Sequence, residues 1–297
     1  MSGAEKTAGE MVWVPAAAAI AREAGERLRG FYAQGVETEY KGDVDLVTVA
    51  DRTVEKLIRA RLGEAFPEHG IYGEEGTRER LEAEFRWYVD PLDGTTNFAH
   101  GFPQFAVSLG LEQRPAGTKD DEDGTLVAGV IYDPMRDELY AAERGRGATL
   151  NGRAMHVSRA KNLAEALLAT GFPSRKRHAS PNIHFYQEFT LRSHGVRRAG
   201  AAALDLAYVA CGRLDGFWEF NLNPWDTAAG ILLVEEAGGR VTDYAGQHYR
   251  LASDEILASN GPIHDELMDL FADMFAGRDL ARIPTPKEYA ERRKAKG

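Results

Sequence analysis

The spacing of apolar residues predicts two amphipathic helices in the first quarter of the chain. Residues 12–32 repeat apolar positions at helical intervals, and Pro15 falls in the first turn, where a missing N–H is tolerated. Residues 51–62 show the second pattern, with an apolar face made of Val54, Leu57, Ile58 and Leu62. The stretch PEHGIYGEEG that follows predicts a loop, a short strand and a turn.

Between residues 86 and 157 the pattern changes to short runs of β-branched and aromatic residues. The segments WYV, FAVSLGLE, LVAGVIY, ELYAAE and ATL predict strands, and DPMRD, RGRG and NG predict turns between them. The segment RPAGTKDDEDGT is highly charged and has no apolar period, which predicts an exposed hairpin loop.

Helices and strands alternate in the remaining sequence, so the whole pattern predicts a mixed α/β fold. ALLATGF, RVTDY and EILASN predict strands, and SPNIHFYQEFTLRSH predicts a helix with Ser180 as N-cap and Pro181 at its first position. Three more helices are predicted for AAALDLAYVACG, DTAAGILLVEEAGG and PIHDELMDLFADMF. We expect one domain over residues 1–275, built from two packed halves of roughly 1–160 and 161–275, and a charged tail over 276–297 that frays or docks loosely.

Composition limits the partners of such a domain. Among the 297 residues, 46 are acidic and 36 are Lys or Arg, so the net charge of -10 makes a nucleic acid partner unexpected. Cys211 is the only cysteine, which excludes an intrachain disulfide and fits a reducing, cytoplasmic setting; we interpret it as a small core residue. Neither a signal peptide nor a membrane-spanning segment is expected from the sequence.

The first candidate for chemistry is the segment DPLDGTTNFAHG, which follows a strand pattern. Asp90 and Asp93 lie on either side of a Pro-Leu pair, and Gly94 permits a tight turn after them. Residues 95–100 have room for one helical turn, whose free N–H groups suit a phosphate. Because carboxylates are costly to bury next to an anion, this arrangement suggests a divalent cation, and oxygen ligands favour Mg²⁺.

Three further acidic segments are weaker signals individually. Glu74 lies in GEEG, Asp51 ends KGDVDLVTVAD after Lys41 and Asp45, and Asp226 begins a helix in NPWDTAAG. An Asp at a helix start is usually an N-cap, and paired Glu in a loop is usually solvated. The combination of DPLDGT with a later Trp-Asp is more specific, since both segments place acids beside buried positions.

These segments together resemble the inositol monophosphatase family. DPLDGTTNF and NPWDTAAGILLVEEAGG are similar to its two signatures, and DLVTVAD and GEEG match in the family's order, so the resemblance runs from about residue 12 to about residue 274. The family contains Mg²⁺-dependent, lithium-sensitive phosphomonoesterases. It implies an α/β (α+β) fold, a layered αβαβα sandwich of the inositol monophosphatase and sugar phosphatase type, usually assembled as a homodimer.

The resemblance also implies roles for individual residues. It makes Glu74, Asp90, Asp93 and Asp226, with the carbonyl of Leu92, the ligands of two or three Mg²⁺ ions per subunit. Gly94 and Thr95 would hold the phosphate, Asp51 would orient Thr95, and Thr95 with Glu74 would position the attacking water. Lys41 and Asp45 are candidate auxiliary residues.

The substrate side is implied by RRAGAAALDL and FWEFNLNPWD. The first segment matches the family at Gly200, Ala201 and Ala202, although Ala201 stands where the family often has Thr. In the second, Glu219 matches a glutamate that accepts hydrogen bonds from inositol hydroxyls; the alternative is an exposed strand residue. Asp93 is also expected to face the substrate.

Several alternatives remain open from the sequence. The expected substrate is inositol monophosphate or a related polyol or sugar phosphate, but fructose 1,6-bisphosphate, histidinol phosphate and 3′-phosphoadenosine nucleotides suit the same metal frame. The basic run Arg175, Lys176, Arg177 and His178 would meet a second phosphate or be a solvated loop. A nucleophilic-aspartate phosphatase is disfavoured because DVD follows no apolar strand, and a triad hydrolase because Gly-x-Ser-x-Gly is absent. A metal-binding regulatory domain without catalysis is the non-enzyme alternative.

Overall fold

The computed structural model describes residues 12–35, 38–40, 46–115, 124–172, 180–278, 285–288 and 291. Its helices are α1 Val14–Gln34, α2 Val49–Ala65, α3 Thr95–Ala99, α4 Asn182–Arg192, α5 Ala202–Ala210, α6 Pro224–Glu236 and α7 His264–Phe275, with a short 3₁₀ turn at Leu163–Glu165. No helix in these ranges is long and apolar enough to cross a membrane.

The strands are β1 Thr38–Tyr40, β2 Leu46–Thr48, β3 Gly70–Gly73, β4 Arg78–Glu79, β5 Phe85–Asp93, β6 Ala106–Gln113, β7 Thr125–Asp133, β8 Glu138–Glu143, β9 Ala148–Leu150, β10 Arg153–Met155, β11 Leu167–Thr170, β12 Gly195–Arg197, β13 Gly216–Phe220, β14 Arg240–Thr242 and β15 Glu255–Ser259. An eight-stranded sheet has the order β10-β9-β8-β7-β6-β5-β3-β4, and a five-stranded sheet has the order β12-β11-β13-β15-β14. β1 and β2 pair with each other in a separate, antiparallel two-stranded sheet.

The described elements stack in five layers, αβαβα. Helices α1 and α2 cover one face of the larger sheet, α5 and α6 lie between the two sheets, and α4 and α7 cover the outer face of the smaller sheet. Each sheet therefore has helices on both faces, which explains why its strands are apolar along most of their length. The mixed α/β class and the αβαβα layering confirm the prediction from the sequence.

Small residues allow the central helices to approach the larger sheet closely. A Cβ on Gly110 of β6 would lie 2.6 Å from Cβ of Ala228, and one on Gly129 of β7 would lie 2.8 Å from the carbonyl oxygen of Ala229. Between the two helices, a Cβ on Gly230 would lie 2.5 Å from the Leu206 side chain. Larger side chains at positions 110 and 129 would push α6 away from the sheet, and one at position 230 would push it away from α5. Either change would move the residues at the N-terminus of α6.

The predicted helices and main strands are present, but several short elements were not predicted. These are β1, β2, β4, β10 and β12, none longer than three residues. Helix α4 begins at Asn182, with Pro181 as its N-cap, so the predicted start was one residue early. Lys41, Asp45, the basic run 175–178 and most of the tail lie outside the described residues. The division into two halves near residue 160 stays a prediction.

Candidate active site

The site is built around the turn at the end of β5. Asp90 and Asp93 are buried, with 2% and 9% of their surface exposed. The backbone N–H of Leu92 donates to Oδ1 of Asp90 at 2.9 Å, and the pairing of β5 with β6 is interrupted between the two aspartates. Because Pro91 cannot donate a ladder hydrogen bond, the strand is irregular here and pairs again with β6 at Asp93. The two carboxylates lie close enough for the charge of Asp93 to raise the pKa of Asp90.

Asp93 caps helix α5 from another part of the fold. Its Oδ2 accepts the backbone N–H of Ala203 at 2.9 Å, and hydrogen bonds from Ala202 and Leu204 also favour its charged form. The N-cap residue, Ala201, has no side chain that could do this. Asp93 therefore supplies from β5 the cap that α5 lacks in its own sequence.

Other carboxylates face these two. Burial raises the pKa of Asp90 well above its usual value, and the charges of Glu74, Asp93 and Asp226 raise it further. Burial also raises the pKa of Asp93 to about 7, with Asp226 as the next cause. The pKa of Asp226 rises to about 6 because of burial, although the backbone N–H of Asn223 donates to its Oδ2 at 2.7 Å.

Thr95 and Gly94 complete the turn. Thr95 Oγ1 lies 3.1 Å from Oδ1 of Asp51 and 3.0 Å from the Leu92 carbonyl oxygen, so its single proton has two acceptors. Gly94 has φ +90° and ψ 32°, and a Cβ there would lie 2.8 Å from the Gln104 carbonyl oxygen. Only glycine fits this position. Thr95 itself is partly buried, and the Asp51 to which its hydroxyl donates is buried.

The turn is tied to the segment before α5 by Asn97. The Asn97 amide donates to the carbonyl oxygens of Ala199 at 2.8 Å and Gly200 at 3.2 Å. Gly200 has φ +83° and precedes Ala201 and Ala202, which are buried. The predicted phosphate turn and the predicted substrate-side segment are therefore in direct contact.

Glu219 of β13 faces the same acidic region. It is 8% exposed, and a Cβ on Gly171 would lie 2.0 Å from its Oε1, so the carboxylate packs directly on that glycine. Burial raises its pKa well above the usual value, followed by the charges of Asp205, Asp226 and Asp93, while Arg198 acts in the opposite direction. The alternative reading of Glu219 as an exposed strand residue was wrong.

Comparisons with known proteins identify the family of this chain. The family model "Inositol monophosphatase family" matches residues 11–275. The chain belongs to the inositol monophosphatase family.

Close relatives carry two kinds of name within this family. "Nus factor SuhB" of Pseudomonas aeruginosa is 46% identical over 76% of this chain and 82% of its own length. "Inositol-1-monophosphatase" of Rhizobium meliloti is 43% identical over 84% of this chain and 90% of its own length. The solved inositol monophosphatase of Anabaena (Nostoc) is 40% identical, with a TM-score of 0.77 over 88% of this chain and 95% of that one.

The acids of this family member suit small hard cations. Among the described residues, no three acidic, histidine or cysteine side chains are arranged to hold a metal ion by themselves. The acids instead lie as interacting neighbours, and Asp90 is hydrogen-bonded to Glu74. Mg²⁺ is usually held by one or two carboxylates, several waters and substrate phosphate, so this oxygen-only set fits it. Ionising buried acids together is costly without such a cation.

Two acidic residues near the site were missed by sequence reasoning. Asp205 of α5 is 1% exposed, and its Oδ1 has no hydrogen-bond partner among the described residues. Glu55 of α2 is 3% exposed and binds the turn after Glu74. An acid inside the otherwise apolar helix AALDLAYVA was a usable signal for Asp205, whereas Glu55 lies in a helix with many charged residues and gave no such signal. Cys211 is half-buried and its pKa is raised by burial, which agrees with a packing role.

Proposed function

We propose that this protein is a Mg²⁺-dependent phosphomonoesterase that hydrolyses inositol monophosphate or a related polyol or sugar phosphate by attack of water. The observation that carries the proposal is the group of neighbouring acids, Asp90, Asp93, Asp226 and Glu74. Burial raises the pKa of each of the three aspartates, and the charges of neighbouring acids raise those of Asp90 and Asp93 further. Family membership supports the same reaction class.

The metal ligands in this proposal are Glu74, Asp90, Asp93, Asp226 and the carbonyl of Leu92, for two or three ions per subunit. The positive charge of bound Mg²⁺ would offset the negative charge on the phosphate and on the leaving oxygen, and would lower the pKa of a water molecule. Asp93 is held in place by the N-terminus of α5, since its Oδ2 accepts the Ala203 N–H at 2.9 Å. Its carboxylate therefore keeps one orientation toward Asp226.

In this proposal the attacking water is positioned by Thr95, Asp51 and Glu74. When the Thr95 hydroxyl donates to Asp51, its oxygen lone pairs stay free to accept a hydrogen bond from the water. Glu74, which is hydrogen-bonded to Asp90, would accept a second hydrogen bond from the water. The backbone N–H groups of Gly94 and Thr95 bind the phosphate oxygens.

Substrate selection is assigned to the segment at Gly200, Ala201 and Ala202 and to Glu219. A buried carboxylate accepts hydrogen bonds from neighbouring polyol hydroxyls more strongly than a neutral group does. Fructose 1,6-bisphosphate, histidinol phosphate and 3′-phosphoadenosine nucleotides remain alternatives, because the 175–178 run that would meet a second phosphate lies outside the described residues.

A panel of phosphate esters tests the proposal directly. Phosphate release is measured from inositol 1-phosphate, each of the three alternatives and an aryl phosphate, with Mg²⁺ and with chelator. We expect Mg²⁺-dependent release, fastest on the inositol ester. Release that is unchanged by chelator would contradict the metal requirement, and preference for another ester would change only the substrate assignment.

The relatives called Nus factor SuhB support a second candidate, a regulatory role of the same fold. A metal-binding regulatory domain would bind divalent cations without turnover. Cation binding in the wild-type protein combined with no phosphate release from any ester in the panel would favour this candidate over the enzyme.

A homodimer, lithium inhibition and a cytoplasmic location complete the proposal. The single cysteine fits a reducing compartment. Analytical ultracentrifugation tests the dimer, and activity in lithium chloride against a sodium chloride control tests the inhibition.

A further inference from the structure

One buried carboxylate holds the turn that carries Glu74. Oε2 of Glu55 accepts the backbone N–H of Glu75 at 2.6 Å. Its Oε1 accepts both the backbone N–H and the side-chain hydroxyl of Thr77, at 2.9 and 2.6 Å. Three hydrogen bonds converge on one carboxylate that is only 3% exposed, and bonds to a charged acceptor are stronger than neutral ones.

The packing around Glu55 leaves little freedom for the turn. A Cβ on Gly73 would lie 2.5 Å from Oε2 of Glu55, so the end of β3 lies directly against the carboxylate. The backbone N–H of Gly73 donates to the Thr77 carbonyl oxygen at 2.9 Å, and that of Glu74 donates to Val89 of β5 at 3.1 Å. The position of Glu74 is therefore set by β5 on one side and by Glu55 on the other.

The same helix supports the opposite side of the site. Asp51 lies four residues before Glu55 on α2, so both side chains are on one face of the helix. Asp51 accepts the hydrogen bond of Thr95, whereas Glu55 accepts those of the turn that follows Glu74. A single helix thus fixes the separation between the Thr95 hydroxyl and the Glu74 carboxylate.

We propose that Glu55 is a positioning residue that sets the affinity of the site for its divalent cation by holding Glu74 beside Asp90. The inference rests on the proposed function, because it takes Glu74 and Asp90 as metal ligands. Glu55 itself is buried behind the turn and acts only through Glu74. Loss of comparable outer partners of metal ligands lowers metal affinity or activity by about 10- to 100-fold.

The test compares the full-length wild-type protein with Glu55→Gln. The Gln side chain has the same shape, but its NH₂ group replaces one of the two carboxylate oxygens. It therefore faces a backbone N–H of Glu75 or Thr77 and breaks at least one of the three bonds, and the charge on the acceptor is lost. Binding of Mn²⁺ is measured from its free-ion signal in electron paramagnetic resonance, below the unfolding temperature of both proteins. We expect Mn²⁺ affinity to fall by about tenfold or more, and the Mg²⁺ midpoint for phosphate release to rise by a similar factor.

Two further variants separate positioning from general damage. Glu64→Gln changes an exposed glutamate at the C-terminal end of the same helix and should leave Mn²⁺ affinity unchanged. Thr77→Val keeps the size of the side chain and removes only its hydroxyl bond, so it should give a smaller loss. In the double variant Glu55→Gln/Thr77→Val, the loss of Mn²⁺ binding free energy should be smaller than the sum of the two single losses, because both changes affect the same Thr77–Glu55 hydrogen bond.

Unchanged Mn²⁺ affinity in Glu55→Gln, whether or not its thermal stability falls, would overturn the proposal. If Glu55→Gln does not fold, unchanged affinity in Thr77→Val would overturn it equally. A wild-type protein that neither binds Mn²⁺ nor releases phosphate would instead count against the proposed function.

Discussion

Two Asp-Pro turns lie near the ends of two strands of the larger sheet. They share the same hydrogen bond but differ in the charged residues around the aspartate. Asp90 precedes a proline in β5, and Asp133 precedes one at the end of β7. In both turns the carboxylate Oδ1 accepts the backbone N–H two residues later, at 2.9 Å. Both side chains are buried, with 2% and 0% of their surface exposed.

The two carboxylates meet opposite kinds of neighbour. Asp133 also accepts the backbone N–H of Arg136 at 3.0 Å and its guanidinium at 2.7 Å, so its charge is balanced within the turn. Asp90 faces Glu74, Asp93 and Asp226, and its pKa is raised well above the usual value. The comparison teaches that the Asp-Pro pair sets the turn, while the residue three positions later already differs, Arg136 in one turn and Asp93 in the other. Distant acids, Glu74 and Asp226, then make Asp90 a candidate ligand, whereas Asp133 is a structural cap.

The largest expected effect is that of Asp93→Asn. The amide oxygen can still accept the Ala203 N–H, so the fold should be retained, but the charge needed for cation binding is lost. Residues that only support a metal ligand lower activity by up to about 100-fold when they are changed. We expect a larger fall in Mg²⁺-dependent phosphate release here, because Asp93 is proposed to be a ligand itself. Steady-state assays over a wide Mg²⁺ range measure this. Turnover near the wild-type rate would rule out Asp93 as a ligand.

A second prediction concerns the hydroxyl–carboxylate pair of Thr95 and Asp51. Thr95→Ala and Asp51→Asn should each lower kcat by about 100-fold, a typical share for positioned proton transfer. The double variant should lose little more, since either change breaks the same 3.1 Å contact. Thr190→Ala, at an exposed helix threonine, is the control. Fully additive losses would show that the two residues act separately.

Asp133→Asn tests the other side of the comparison. It removes the charge that balances Arg136, so the free energy of unfolding should fall by about 2 kcal/mol, as measured by urea denaturation. Because Asp133 faces a cation and no other acid of the site, kcat and the Mg²⁺ midpoint should stay within about twofold. A loss of turnover as large as that of Asp93→Asn would break the distinction between the two turns.

Glu219→Gln should act on one substrate class only. A carboxylate that accepts polyol hydroxyls contributes about 1.5–3 kcal/mol per hydrogen bond, so kcat/KM for a polyol phosphate should fall by about tenfold or more. An aryl phosphate has no such hydroxyls, so its kcat/KM should be unchanged. Equal losses on both substrates would place Glu219 with the metal ligands or the scaffold instead.

The smallest effect is a pH dependence from His264, a buried polar group with neutral partners. Its Nδ1 lies 2.8 Å from Ser259 Oγ and its Nε2 lies 2.8 Å from Thr242 Oγ1. The Ser259 hydroxyl donates to Nδ1, and Nε2–H donates to Thr242, whose own proton goes to a carbonyl. This arrangement requires the neutral ring, and burial lowers the His264 pKa from 6.5 to about 4.

The sign follows from that shift. Between about pH 6.5 and pH 4, His264 is protonated in the unfolded chain but neutral in the folded protein. The free energy of unfolding is therefore highest above pH 6.5 and falls as the pH drops toward 4. The loss should be about 1 kcal/mol for the first pH unit. Denaturation curves of wild type and His264→Gln at several pH values measure it. If the free energy of unfolding falls equally with decreasing pH in both proteins, a group other than His264 causes the effect.

Much of the fold was predictable from local patterns because the main helices and strands each have a clear apolar period. The strand patterns at residues 126–132 and 138–143 became β7 and β8 with at most one residue of difference at each end. Strands such as β4 and β12 were not predictable, since two or three residues carry no period and form only when a neighbouring strand accepts them. The start of α4 differed by one residue, the usual uncertainty of a helix end.

For the site, the sequence by itself determined which residues can carry charge and where the turns lie. Pro91 and Gly94 dictate the backbone around Asp90 and Asp93, and Asn223 with Pro224 starts the helix that bears Asp226. These are short-range effects of dihedral angles and capping. Local sequence could not say that Asp93 caps α5, 110 residues later, or that Glu55 holds the turn of Glu74. Only the packing of the layers brings those groups together, and this packing raises the pKa of Asp90, whereas the arginine that pairs with Asp133 lies three residues later in the same turn.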